Sequence, residues 1–519
     1  MKEKFKYLLS VVALAMFLVC CVDGGDEDII TPDPDPDPKP PVELTDNEYT
    51  NYWIYDKMKR VYLWNDKLPA SPNYKSDPEK FFYGILFDYE KLTGDRFSWI
   101  EEDESKKTKS SGTGIGFKTI ANHYFADDQA KSSSVGLYVI SVVKGSDAEA
   151  KGLKRGNVIY AVNGTTVTSS NYLTILSKSS FDLSIYDENG TNKTLTTIQA
   201  TAPEASPLYM SDVIEAGGKK IGYIKYDAFE RSPGDNTSKF DYDAELVQSI
   251  GELNGKGISD LILDLRYNPG GYLSSAMFLA SALVPNRKNT NIFAKEEYNP
   301  YFQDSLVAKH GQNALNEYFL DNLNQIYGAP NLEIPRSNRN RLFILANKFS
   351  ASASELIIHG LKPYMEIIQI GETTVGKDKG SITISTTDER IKWQLQPLVM
   401  RLKDKNDVGN YINGLTPTHE VIEWEECYET IKAYYMDGDT RVELMVPIMS
   451  PWGGGMKEYG DPSDPLIAEA IAQITGVPRI KSVKSASDGK IRKIPHLKQD
   501  ESQYKTILDE NRFERLDKK

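Results

Sequence analysis

Between residues 210 and 475 short apolar runs alternate with segments of helical period, and this alternation leaves few architectures open. Ile221-Gly222-Tyr223-Ile224-Lys225-Tyr226, Asp260-Leu261-Ile262-Leu263-Asp264-Leu265-Arg266, Leu342-Phe343-Ile344-Leu345-Ala346 and Glu366-Ile367-Ile368-Gln369-Ile370-Gly371 read as strands, and 393–402 as one more. Residues 241–253 carry helical periodicity. Strands that alternate with helices predict a layered α/β domain. A polar, Asn-rich stretch, 289–340, interrupts the pattern with no evident role.

The chain has 519 residues, room for roughly three domains. Its net charge of -13 argues against nucleic acid as a partner. Three cysteines, Cys20, Cys21 and Cys427, exclude a disulfide framework and a cysteine zinc site. Five scattered histidines offer no metal-binding pattern, so neither metal nor cofactor is expected.

Residues 1–20 read as a signal peptide, with Lys2, Lys4 and Lys6 ahead of an apolar core too short to span a bilayer. The segment ends Leu18-Val19-Cys20-Cys21, which resembles a bacterial lipobox. Cys21 is the expected lipidation site, Cys20 the alternative, and an ordinary cleaved signal the plainer reading. Residues 21–44 form an acidic linker whose Pro-Asp repeat favours extended polyproline geometry. Residues 45–111 look helical. Tyr49, Tyr52, Trp53, Tyr55, Met58, Val61, Tyr62 and Trp64 recur at near-helical spacing, a core stripe rather than an aromatic platform for a glycan.

Residues 112–203 change to strand-like runs at 136–143, 158–162 and 181–186, separated by glycine turns. Gly114-Ile115-Gly116-Phe117 is a glycine-flanked loop before a strand. The run from Ser146 through Gly152 and Gly156 to Ile159 reads as a short helix, a glycine stop and a buried strand, and Asn163-Gly164 as a hairpin-type turn. This stretch resembles a PDZ domain. The resemblance implies that the loop N–H groups of Gly114, Ile115, Gly116 and Phe117 hold the terminal carboxylate of a bound peptide.

Within the layered domain, Ser352 lies in Phe349-Ser350-Ala351-Ser352-Ala353-Ser354-Glu355, before a predicted helix over 353–361. Lys377 follows 25 positions later, after Gly371-Glu372-Thr373-Thr374-Val375-Gly376. A serine among small residues leaves room for a substrate carbonyl, but its hydroxyl needs a base. Lysine serves only when neutral, which burial makes possible by lowering its pKa from about 10.4 by roughly three units. A helix N-terminus suits a developing oxyanion, with the Ala353 N–H as first donor and Asn268-Pro269-Gly270-Gly271 as source of a second. Asp378 and Lys379 are expected to point outward.

Asp264-Leu265-Arg266-Tyr267-Asn268-Pro269-Gly270-Gly271, then the serine run, then Gly371-Glu372 with Gly376-Lys377, behind a PDZ-like segment, resemble the tail-specific or C-terminal processing serine protease family. The resemblance spans about 112–425. It implies a ClpP/crotonase-like β/α protease core, here 204–478, preceded by or carrying the PDZ-like domain and an N-terminal helical segment. It also implies Ser352 as nucleophile, Lys377 as general base, and an oxyanion hole from Ala353 and a glycine of Gly270-Gly271. Many members carry Gln or Glu four residues after the lysine. Here Ser381 stands there, or Thr383 if Asp378-Lys379 is an insertion, so Ser381 is the expected support of a dyad.

The neighbouring polar residues have ordinary readings. Ser350 and Ser354 fit loop and cap positions, and Glu355 a first-turn helix charge. Asp264 and Arg266 fit strand-end roles. His359 and His419 lack a matching acid and serine pattern. Cys427, beside Glu425 and Glu426, makes a poor nucleophile. The basic tail, 479–519, reads as solvated, with a membrane-surface contact as the alternative. The expected function is a lipid-anchored serine endopeptidase of the bacterial envelope, periplasmic or outer-membrane, with surface display as a further option. It would act on protein or peptide substrates through their C-termini. The competing reading is a lipoprotein of the same fold that binds peptides without cleaving them.

Overall fold

The structure, a computed structural model, describes residues 44–103, 114–127, 129–201, 203–233, 240–327, 332–449, 455–479, 491–497 and 505–507. The leader, Cys20, Cys21 and nearly all of the Pro-Asp linker lie outside the described residues. No helix among those described is long and apolar enough to cross a membrane.

Helix α1 (Asp46–Val61) opens on a capping box in which Thr45 and Glu48 satisfy each other's backbone N–H. It packs with α2 (Pro78–Ile85), capped by Asp77. Ile54, Met58, Val61, Tyr62 and Trp64 enter the main core, whereas Tyr52 stays exposed and stacks on Tyr74 with ring centroids 3.9 Å apart. The helical expectation fails at the end of this segment. Residues Trp99–Glu102 form β1, because an edge strand of the core pairs with them.

The next sheet contains β2 (Phe117–Tyr124), β3 (Ser134–Val142), β4 (Val158–Val162), β5 (Thr165–Thr166), β6 (Ser180–Tyr186) and β7 (Asn192–Gln199), with the single-turn α3 (Asp147–Ala150) between β3 and β4. Its order is β2-β3-β4-β6-β7, with β5 turned back on β4 at Asn163 and Gly164, both of positive φ. It has its own core, around Phe117, Leu137, Val139, Ile159, Phe181 and Leu183.

The rest is a layered α/β body. In chain order it runs β8 (Leu208–Ala216), β9 (Lys219–Tyr226), α4 (Asp241–Gly255), β10 (Asp260–Asp264), β11 (Gly270–Tyr272), α5 (Leu273–Leu283), β12 (Ile292–Tyr298), α6 (Pro300–His310), β13 (Asn316–Tyr318) and α7 (Asn324–Tyr327). There follow β14 (Arg341–Ala346), α8 (Ala353–Leu361), β15 (Glu366–Gly371), β16 (Lys379–Ser381), β17 (Trp393–Gln396), β18 (Leu398–Lys403), β19 (His419–Glu420), α9 (Glu423–Cys427), β20 (Thr430–Asp437), β21 (Thr440–Pro447), α10 (Pro465–Thr475), β22 (Arg492–Lys493) and β23 (Lys505–Ile507).

One sheet has the order β19-β15-β14-β10-β9-β8, parallel except for β8. Its strands are apolar on both faces because both are covered. Leu261, Leu263, Leu342 and Ile344 face α4, α5 and α8, while Ile262, Phe343 and Leu345 face α10. A second sheet has the order β11-β23-β16-β18-β12-β13.

Three expectations need correction here. The 289–340 stretch is part of the body: Phe293, Phe302, Phe319 and Leu323 are buried, and β12 and β13 extend the second sheet. The strand expected over 393–402 is two strands split at Pro397. Proline cannot donate to a ladder, and β17 and β18 pair with different partners. The tail is not simply solvated, since Ile494 is buried and β22 and β23 each join a sheet.

Candidate active site

Strands β10, β14 and β15 are adjacent and parallel, so the loops that follow them emerge on one side, where open α/β sheets gather their ligand sites. The loop after β10 carries Asn268 to Gly271, that after β14 carries Ser352, and that after β15 carries Lys377. Backbone and hydroxyl bonds tie the three together. Ala351 N and Ser354 Oγ both donate to Asn268 O, each at 3.1 Å. Ser350 Oγ donates to Leu265 O at 2.8 Å, and Val375 N to Ser350 O at 3.1 Å. Ser350 and Ser354 therefore fasten neighbouring loops, beyond the loop and cap roles expected of them.

Ser352 is 1% exposed and has φ 61°, a backbone state that costs a non-glycine residue roughly 1–3 kcal/mol. It sits where β14 turns into α8. Among the described residues its Oγ has no hydrogen-bond partner. As the first residue of α8, Ala353 has an N–H with no intrahelical acceptor. On β11, the Gly270 N–H already donates to Asn268 Oδ1 at 2.9 Å. Gly271 has φ 140° and lies so close to Phe229 that a Cβ would meet its carbonyl oxygen at 2.1 Å.

Lys377 is 1% exposed, with Nζ 5.4 Å from the centroid of Phe97, a ring supplied by the N-terminal segment. Its loop is fixed by a residue whose role the sequence did not suggest. The Glu355 carboxylate is fully buried and accepts from Ser352 N (2.8 Å), Gly376 N (2.7 Å), Lys377 N (2.8 Å) and Thr374 Oγ1 (2.5 Å). Burial pushes this carboxyl upward, and the four donors act against that. One side chain thus joins the serine turn to the lysine loop. The spacing Ser-x-x-Glu was the available signal, since a capping box at N3 turns such a glutamate back toward the helix start.

Asp378 and Lys379 do not point outward. Both are buried, and they pair with each other. Ser381 Oγ accepts from Gln396 Nε2 at 3.0 Å, and Thr383 Oγ1 donates to Gln396 Oε1 at 2.8 Å. Gln396, delivered by β17, thus bonds both residues that stand at the expected position after Lys377, a contact no local spacing could reveal.

Behind the loops lies a fully buried ionic network. Arg266 bonds Asp264, Asp464 and Glu423, and Tyr267 Oη donates to Glu423. Arg155, from the loop before β4, also pairs with Glu423 and lies 4.1 Å over the Tyr459 ring. Arg155 and Arg266 hold Glu423 below the usual carboxylate range, against the effect of burial. Asp264 and Arg266 are thus the centre of a contact between the two bodies rather than simple strand ends.

The remaining candidates stand apart from these loops. His359 is buried with Nε2 2.8 Å from Val408 O, and His419 lies 3.7 Å from Glu469. Burial, then Glu423 and Asp464, push the Cys427 thiol well up, a different pair of acids from its sequence neighbours. In the β2–β7 sheet, Gly114 and Ile115 precede β2, and Gly116, of φ 85°, accepts from Val143 N at its carbonyl.

A buried serine on a strained strand-to-helix turn and a buried lysine on the next loop thus stand on neighbouring loops of a mixed α/β fold. Residues 220–421 match Peptidase family S41, 49–99 the Peptidase S41 N-terminal domain, and 104–177 a PDZ domain. Over 220–421 the chain thus carries a domain that matches peptidase family S41. It is 24% identical over 342 residues to the carboxy-terminal processing protease CtpA of Bacillus subtilis (strain 168), covering 64% of this chain and 62% of that protein. It is 25% identical over 368 residues to a CtpA-like serine protease of Staphylococcus aureus (strain COL), covering 69% and 62%. The chain thus spans about three fifths of the length of the curated relatives it matches. A crystal structure of a Bacteroides fragilis NCTC 9343 protein assigned to the S41 proteases superposes with a TM-score of 0.61 at 23% identity. It covers 86% of this chain and all of that one, a likeness of fold.

Proposed function

We propose that this protein is a serine endopeptidase in which Ser352 attacks a peptide carbonyl and neutral Lys377 removes its proton. The observation that carries the reading is the Ser352 hydroxyl, buried, held at positive φ and without a hydrogen-bond partner. The Ala353 N–H and the Gly271 N–H would receive the oxyanion, since that of Gly270 is engaged by Asn268. Glu355 would hold nucleophile turn and base loop in register, and Ser381 with Gln396 would support the lysine. In the conformation described, Ser352 Oγ and Lys377 are not hydrogen-bonded, so proton transfer requires a further rotation of one side chain.

In the same reading the PDZ domain presents substrate C-termini at Gly114 to Phe117, and a lipid on Cys21 anchors the chain in a bacterial envelope. Ser352→Ala should lower peptide hydrolysis by at least about 10³-fold while leaving thermal unfolding nearly unchanged. Undiminished turnover in that variant would sink the proposal. The open serine–lysine contact and the hydroxyl at position 381 favour a second reading, a peptide-binding protein without turnover. That reading holds if wild type and Ser352→Ala capture C-terminal peptides equally and neither cleaves them.

A further inference from the structure

We infer that the chain's own carboxy-terminal segment is a resident ligand beside the candidate site, seated in a one-strand slot between β11 and β16. The sheet order places β23 between these two strands, and β11 and β16 do not pair with each other. Lys505, Thr506 and Ile507 run parallel to β11 opposite Gly270, Gly271 and Tyr272, and Ile507 also pairs in parallel with Ser381 on β16. Strands two places apart in a sheet lie about 9.5 Å from each other, which admits one extended chain and no more.

The slot is built to bind a backbone. Phe229 N donates to Gly270 O at 2.9 Å and Tyr272 N to Phe229 O at 2.8 Å. Peptide groups alternate in direction along a strand, so the N–H and C=O of Gly271 turn to the opposite side, toward β23. Without an occupant, the facing edges of β11 and β16 would leave such groups unmatched. Each wall of the slot begins two residues from the site. Asn268, two residues before β11, bonds the serine turn, and Lys377 stands two residues before β16.

The tail is also strapped on its way there. Arg492 and Lys493 pair with Ala433 and Tyr434 of β20, and Ile494 N donates to Tyr434 O at 2.8 Å. Pro495 O lies 2.8 Å from His123 Nε2, and Leu497 packs on the PDZ core. From Leu497 to Lys505 the chain can reach at most about 28 Å, so a segment released from the slot stays near it. A short tether gives an effective concentration in the millimolar range. A peptide arriving from solution must displace this strand.

That substrate uses the same slot rests on the peptidase reading; the seating of the tail does not. The test therefore has two arms. In the Ser352→Ala background, hydrogen exchange is measured at the Gly271 amide and over 379–381 in the full chain and in a chain ending at Leu497. Shortening should speed exchange there at least tenfold and leave α8 protected, and a synthetic peptide of residues 501–511 should restore protection. With Ser352 intact, the shortened chain should hydrolyse an unstructured peptide with a KM at least fivefold lower, and the 501–511 peptide should inhibit it competitively. Equal protection in both chains overturns the inference, as does lower turnover on shortening, which would make β23 a purely structural strand. Absence of turnover from both chains with the protection difference intact would overturn the peptidase reading and leave the seated tail standing.

Discussion

Replacing Glu355 with glutamine keeps the side-chain length and exchanges an acceptor oxygen for a donor. Three backbone N–H groups and the Thr374 hydroxyl converge on that carboxylate, so the amide leaves at least one of them unmatched. Glu355→Gln should cost about 1–3 kcal/mol in unfolding free energy. By loosening the serine turn against the lysine loop it should also lower kcat about 10²-fold, with a smaller change in KM. Thermal unfolding and steady-state kinetics check both. Asp227 makes a different kind of prediction. Burial alone would raise its pKa, but Lys225 at 2.7 Å and Lys118 at 3.3 Å more than offset this and hold it at about 2. Its folded-state pKa is depressed, so its contribution is present above the ordinary value of 3.8 and is lost as pH falls toward 2. Wild type should exceed Asp227→Asn in stability by at most about 2 kcal/mol above pH 4, and the gap should close near pH 2 in acid-unfolding curves.

At the scale of elements, short connections decide where the reactive groups stand. Gly376, at φ 90°, lies where a Cβ would come within 2.3 Å of Ile412 O, so Gly376→Ala must shift the loop that carries Lys377. It should lower the melting temperature by several degrees and slow turnover, while the far-UV spectrum is kept. The helix over 353–361 was legible because small and apolar residues follow a cap-like serine and stop before Pro363. The strand at 366–371 was legible because its apolar run is continuous. The break at Pro397 was not, since both halves read as apolar strand and only their pairing with β1 and with β16 separates them. The small β20–β21 hairpin gave no strong signal, and its partner β22 lies in a stretch whose composition reads as solvent-exposed.

Across the whole molecule, Arg155 joins the PDZ sheet to the body that holds the site. Its guanidinium pairs with Glu423, which also bonds Arg266 and Tyr267 one residue before Asn268. Removing one member of a buried ionic network leaves charge uncompensated, at a cost of about 3 kcal/mol or more. Arg155→Met should therefore separate the two bodies. Calorimetry should show two transitions in place of one, and elastase, which cleaves after small residues such as Ala200 and Ala205, should cut between 200 and 208 in the variant before it cuts either body.

The sequence by itself determined the order of the parts and singled out Ser352 and Lys377 as the candidate pair. Strand–helix alternation, glycine turns and the spacing of Ser352 and Lys377 are local features, and local geometry follows from them. It also carried the family resemblance that the comparisons support. The tertiary structure alone decided what surrounds that pair. Glu355, Gln396, Phe97 and Arg155 reach the site from a helix face, an edge strand, the N-terminal segment and another sheet. Residues 505–507 reach it from the far end of the chain. Contacts between residues distant in sequence depend on the summed packing of many elements, and no local period or spacing encodes them.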